Sequence, residues 1–156
     1  MQATDVDAWA CFIPRDLSWE GGLNQAILAS AGEAFDNYIL ENVHQPKISQ
    51  VFVTPAFNAP VSHIVLGVLP EWRDALFDEE QMVVRCYKNM MKCVQDHNIP
   101  SLAIPSLGGG KRGFPQKRIV RLTLNVIKSN YPDCLKQVQI ICKDDASFGA
   151  YKERLS

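Results

Sequence analysis

Residues 101–115, S-L-A-I-P-S-L-G-G-G-K-R-G-F-P, hold the residue types with the clearest chemical consequence in this chain. An apolar run ends at Gly108, Gly109 and Gly110, two cations follow at Lys111 and Arg112, and Pro115 opens a stretch with helical spacing. Glycines at a strand-to-helix turn let backbone N–H groups converge on an anion with no Cβ in the way, and the helix start adds partial positive charge. The pattern predicts a cradle for phosphate or pyrophosphate. A second glycine pair, Gly21-Gly22, precedes the helical stretch L-N-Q-A-I and is a candidate for the other side of the same anion.

Two better-known phosphate motifs are excluded. Gly108, Gly110 and Gly113 match G-x-G-x-x-G, but that fingerprint opens a two-half nucleotide fold, and beyond the helix it would open only one strand and one helix follow here. A P-loop is excluded because Arg112 stands where the magnesium-binding Ser or Thr is needed. Other reactive side chains read as structural. Cys11 lies in an apolar run and is expected to be a packed thiol, and His63 opens a strand as a packed, hydrogen-bonded side chain. The five cysteines form no C-x-x-C pair, which predicts reduced thiols. His44, His63 and His97 do not fall at ligand spacing, so no metal site is predicted.

These residues need elements to hold them. Residues 7–13 form a short apolar run halted by Pro14, expected as a strand. Leu23, Ile27, Leu28, Ala31, Phe35, Tyr38 and Ile39 recur at helical spacing, with Gly32 as a break or kink. Strands are expected over 51–54, 63–69, 102–107 and 138–142, and helices over 79–97, 115–129 and 146–155. In the 79–97 helix, Met82, Val83, Cys86, Met90, Cys93 and Val94 are expected on one buried face. Alternating strands and helices imply an α/β fold whose mostly parallel sheet is covered on both faces. Ligands bind at the carboxyl ends of such strands. The expectation is therefore that the loops 14–22, 55–60, 70–77 and 108–112 share one rim.

The 156 residues suit one domain spanning 1–156, and 47% apolar with 21% charged residues argues against disorder. A net charge of −1 argues against nucleic acid as the main partner, although Lys111, Arg112, Lys117, Arg118 and Arg121 could form a local basic patch. No secretory leader or apolar run of membrane-spanning length is visible, so a cytoplasmic protein with no membrane contact is expected.

The segments, taken in order, resemble the macro domain family over nearly the whole chain. Val6-Asp7-Ala8 and the run from Gly21 to Gly32 resemble the family's D-A-I-V-N-A-A-N, glycine loop and V-x-x-A-I-x-x-A-A-G. T-P-A-F-N at 54–58 is similar to T-x-G-Y-x, and residues 63–72 to H-x-I-H-x-V-G-P-x-W; Tyr87 falls in L-x-x-x-Y-x-x-x-L. Residues 101–115 align with S-I-A-F-P-A-I-S-T-G-x-x-G-F-P, and 141–145 with the final strand and turn. The resemblance implies a three-layer α/β/α macro-like fold with a mixed, mostly parallel central sheet.

It also implies binding of ADP-ribose or a related pyrophosphate-containing metabolite, free or on an ADP-ribosylated protein, with no cofactor. The implied ligand-binding residues are Gly21, Gly22, Leu23, Ser106, Leu107, Gly108, Gly109, Gly110, Lys111 and Arg112. Some members hydrolyse ADP-ribosyl groups, and here the chain departs from the pattern. Pro14 stands where the hydrolytic branch keeps an asparagine, and Asn24 where it keeps an acidic residue; neither is a general base. Asp16 and Glu20 are the carboxylates left near the implied distal ribose. The leading expectation is a binder, with a diverged ADP-ribosyl or phosphoester hydrolase using Asp16 or Glu20 as the alternative. A further alternative is an interaction or RNA-binding scaffold that stacks bases on Trp19 and Phe57.

Overall fold

A computed structural model describes residues 6–13, 22–70, 79–106, 116–142, 148–149 and 151–152. Its elements, in chain order, are β1 (Ala8–Ile13), α1 (Gly22–Ala31), α2 (Glu33–Asn42), β2 (Val51–Pro55), β3 (His63–Val68), α3 (Glu79–Asp96), β4 (Ser101–Pro105), α4 (Gln116–Ser129) and β5 (Gln137–Ile141). Each expected strand and helix within the described residues is present, with ends within two residues of those expected. Residues 148–149 and 151–152 are helical, inside the last expected helix.

The strands form one sheet in the order β2-β3-β1-β4-β5, parallel except for β2 against β3. The sheet is mixed and mostly parallel, and helices lie on both of its faces. Ile27, Ala31, Phe35 and Ile39 of α1 and α2 pack on Trp9, Cys11, Ile13, Ile64 and Leu66. On the other face Val83, Cys86, Met90 and Val94 of α3, with Ile119 and Ile127 of α4, pack on Ala10, Phe12, Val65 and Leu102. Period-2 alternation along β1 sends Trp9, Cys11 and Ile13 to one layer and Ala8, Ala10 and Phe12 to the other.

Two expectations about this packing change. Met82 and Cys93 are only half-buried, while Tyr87 and Met91 complete the buried stripe of α3. The stripe curves around the helix because 3.6 residues per turn do not keep strict i, i+4 steps on one line. Gly32 does separate α1 from α2. Its φ of 93° and ψ of 178° are backbone values that L side chains rarely adopt.

The parallel strands give the molecule two unlike poles. Strands β1, β3, β4 and β5 all finish at one, here the upper pole, where α1, α3 and α4 begin. The lower pole holds the strand starts and the loop between β2 and β3.

Candidate functional site

Connections leaving β1 and β4 decide where a ligand can sit. From β1 the chain passes through α1 and α2 to β2 and β3, on one side of β1 in the sheet. From β4 it passes through α4 to β5, on the other side. Neighbouring parallel strands whose connections diverge leave a crevice at their carboxyl ends, the usual ligand position in open α/β sheets. In the sequence, Gly21-Gly22 follow β1 and Gly108-Gly109-Gly110 follow β4. Helices of 10 and 14 residues, α1 and α4, start beside the crevice on opposite faces, and their first-turn N–H groups have no intrahelical acceptors.

Of the residues singled out in the sequence, Gly22 and Leu23 open α1, Asn24 sits in its first turn, and Ser106 follows β4. Gly21, Leu107, Gly108, Gly109, Gly110, Lys111 and Arg112 lie outside the described residues, as do Pro14, Asp16, Trp19 and Glu20. Ser106 is fixed by its backbone: its N–H donates to the carbonyl of Ile141 at 2.8 Å, pinning the β4 exit to the end of β5. Its hydroxyl oxygen is buried and has no hydrogen-bond partner among the described residues. A buried hydroxyl left this way costs about 1–3 kcal/mol, a cost that a polar ligand atom would remove.

Charge at this pole comes from both helix starts and side chains. Arg118 in the first turn of α4 pairs with Glu80 in the first turn of α3, with Nη2 donating to Oε2 at 3.0 Å and Nε in ion-pair contact with Oε1. The Arg118 charge within the expected basic patch is thereby offset, although Arg118, Lys117 and Arg121 are all exposed. Glu79 is the one charged side chain buried among the described residues, 1% exposed, at the first residue of α3. The helix dipole favours a carboxylate there. Its burial was not foreseen, although an acidic pair just after a break is an ordinary helix-start signal.

Several expected rim residues belong to the lower pole. Because β2 runs antiparallel to β3, the loop 56–62 joins them at the start of β3, so the placement of 55–60 on the ligand rim is corrected. Seven residues make a hairpin connection, whereas parallel strands need a crossover of about a dozen or more. Phe57 is therefore not a base-stacking platform at the crevice; its ring packs against Phe35 at 6.2 Å and Tyr38 at 5.7 Å. His63 stands at the same lower end, with Nδ1 3.2 Å from the Ser62 hydroxyl and its ring 5.8 Å from that of His97.

The remaining reactive groups are core parts. Cys11 is fully buried among apolar side chains. Tyr87 stacks on Phe12 at 5.4 Å beneath α4, and burial raises its phenol well above the ordinary value. Among the described residues no three His, Cys, Asp or Glu side chains cluster to hold a metal ion. No described helix is long and apolar enough to cross a membrane.

Comparison with known proteins agrees with this geometry. Residues 14–123 match the Macro domain family. O-acetyl-ADP-ribose deacetylase 1 of Pantoea vagans is 30% identical over 112 residues, a match covering 70% of this chain and 66% of that protein. The macro domain of ganglioside induced differentiation associated protein 2 superposes with a TM-score of 0.87 at 18% identity, covering 96% of this chain and 76% of that one. A Trypanosoma brucei macrodomain crystallised with ADP-ribose gives a TM-score of 0.85 at 16% identity, covering 97% of this chain and 64% of that one. At such identities the two structures speak to the fold alone.

Proposed function

Because the chain belongs to the macro domain family, we propose that it binds ADP-ribose at the crevice between the carboxyl ends of β1 and β4. The observation that supports this reading is the divergence of the chain on the two sides of that crevice, which sets the ends of β1 and β4 and the starts of α1 and α4 around it. In this reading the backbone N–H groups of Gly21, Gly22 and Gly108 to Gly110 donate to the diphosphate, and Lys111 and Arg112 add charge. Leu23 and Leu107 line the loops, and the Ser106 hydroxyl gains a polar partner. Such a cradle needs no metal, since oriented amides and helix dipoles neutralise the phosphates. The same crevice would take an ADP-ribosyl group carried on a protein.

Calorimetric titration and thermal shift with ADP-ribose test the proposal. Ligand at about 100 times its dissociation constant stabilises a folded protein by about 2.7 kcal/mol. Stabilisation by ADP-ribose, with ribose-5-phosphate and oligo-RNA far weaker, is the expected result. Equal effects from all three, or none from any, would overturn the reading.

The name of the Pantoea relative favours a second reading, hydrolysis of an ADP-ribosyl ester with Asp16 or Glu20 activating water. Pro14 and Asn24 weigh against it, since neither side chain can take a proton from water at neutral pH. Asp16→Ala and Glu20→Ala decide between the two: loss of turnover with unchanged ADP-ribose binding establishes the hydrolase.

A further inference from the structure

The two helical layers differ in charge. On one face of the sheet, α1 and α2 hold Glu33, Asp36 and Glu41 and no cation. On the other, α3 and α4 hold seven cations against three carboxylates. Of those three, Glu79 is buried, Glu80 is paired with Arg118, and Asp96 closes α3 at the lower pole. A chain of net charge −1 thus has one layer at −3 and one at +4.

The six cations besides Arg118 are ordered in two stripes. Arg85, Lys88 and Lys92 are exposed and fall within about 60° of arc on α3, opposite the buried Val83, Cys86, Met90 and Val94. Lys117, Arg121 and Lys128 are exposed and fall within about 40° on α4. The two helices pack side by side, both start at the upper pole, and the Glu80–Arg118 pair ties their first turns. Packed helices lie about 8–10 Å apart, so the stripes run parallel over roughly 16 Å. Among the described residues no carboxylate pairs with any of the six.

We propose that this face binds a single strand of nucleic acid along its phosphate backbone. Two stripes of one sign suit a chain that carries a negative charge at every unit. Among the described residues no large apolar side chain is exposed on α3 or α4. A protein interface has an apolar centre and a helix lying in a membrane surface buries an apolar face, whereas phosphates are held by charge alone. Tyr131, three residues beyond Lys128 and 43% exposed, offers a ring on which a base can stack, and only an unpaired strand can use it.

The net charge of the chain hides this face because the opposite layer cancels it. The face is also distinct from the crevice, which lies at the strand ends. Binding of this kind is strong at low salt and far weaker at physiological salt.

Fluorescence anisotropy with a labelled, mixed-sequence single-stranded oligonucleotide tests this. With four phosphates neutralised, affinity should fall roughly six-hundredfold for a tenfold rise in salt. The double variant Lys88→Gln, Lys128→Gln removes two contacts and should reduce that fall to about 25-fold. Lys47→Gln, at an exposed lysine outside this layer, should leave it unchanged. Tyr131→Ala should weaken binding by about fivefold or more at every salt concentration. No binding at low salt would overturn the proposal, as would a salt dependence indifferent to the double variant or reduced as much by Lys47→Gln. So would Tyr131→Ala without effect, or a duplex, polyglutamate or anionic vesicles binding as tightly as the strand at equal salt. Displacement of the strand by ADP-ribose would place it in the crevice and overturn the proposal too. Self-association at low salt that the oligonucleotide does not relieve would make the acidic layer of a second copy the occupant instead. The salt dependence and its variants read the same whether or not the crevice binds ADP-ribose.

Discussion

The two poles of this domain are made from the same strands yet held by different means. At the lower pole the chain is stapled. Asp7 N–H donates to the Ser101 hydroxyl at 2.8 Å, and that hydroxyl donates to Asp7 Oδ2 at 2.6 Å, locking the start of β1 to the start of β4. Ser62 gives both its N–H and its hydroxyl to the Asp7 carbonyl, each at 2.7 Å. Asn58 N–H closes on the Ala31 carbonyl at 3.1 Å, under the turn that Gly32 makes. The upper pole is a set of starts and ends: strand carbonyls, helix N–H groups, the Ser106 hydroxyl, and the Glu80–Arg118 pair tying two helices. One pole fixes the strands. In the proposed reading the other meets the ligand, with the helix N–H groups there already oriented, so less ordering is needed on binding.

That contrast can be broken at either pole. The largest effect is expected on binding at the upper one. On the proposed binding mode, Gly109→Val sets a branched side chain against the diphosphate and should cost about a hundredfold in affinity, the scale of one to two lost charge-assisted hydrogen bonds. The melting temperature should move little. Calorimetry and a thermal melt on the same sample check both.

Gly32→Ala at the lower pole should do the reverse. A Cβ there lies 3.0 Å from Asn58 Nδ2, at a φ of 93°. The strain costs about 1–3 kcal/mol of stability, lowering the melting temperature by several degrees for a domain of this size. ADP-ribose affinity measured well below the melt should stay within twofold. A variant that lost affinity instead would show the poles to be coupled.

The smallest effect reads the core between them. Burial holds the Tyr87 phenol well above its ordinary value, so the folded chain keeps a proton that the unfolded chain releases above pH about 10. Tyr87 therefore contributes full stability below that pH and loses it as pH rises. Denaturant midpoints measured from pH 8 upward should fall in the native protein. Tyr87→Phe should flatten part of that decline, at a modest cost in stability at pH 8.

The elements themselves were legible in the sequence, because apolar periodicity and punctuating residues act over a few positions. The break at Gly32, the proline-led start before α4 and the helix over 79–97 are local facts of that kind. So was the chemistry of residues 101–115, since three glycines before two cations after an apolar run point to an anion whatever the fold. What sequence could not supply is direction. Whether β2 runs with β3 or against it depends on hydrogen-bond partners far apart in the chain. That choice moved Phe57 to the pole away from the crevice, although the seven-residue connection was a usable clue. The pairing that offsets the charge of Arg118 has the same origin, because its partner Glu80 lies 38 residues away. The crevice itself exists only in the assembled sheet. Composition and spacing set which groups can hold a phosphate, while the order β3-β1-β4 decides that the ends of β1 and β4 lie side by side. Strand order is settled by burial over the whole core, and no short window of residues contains it.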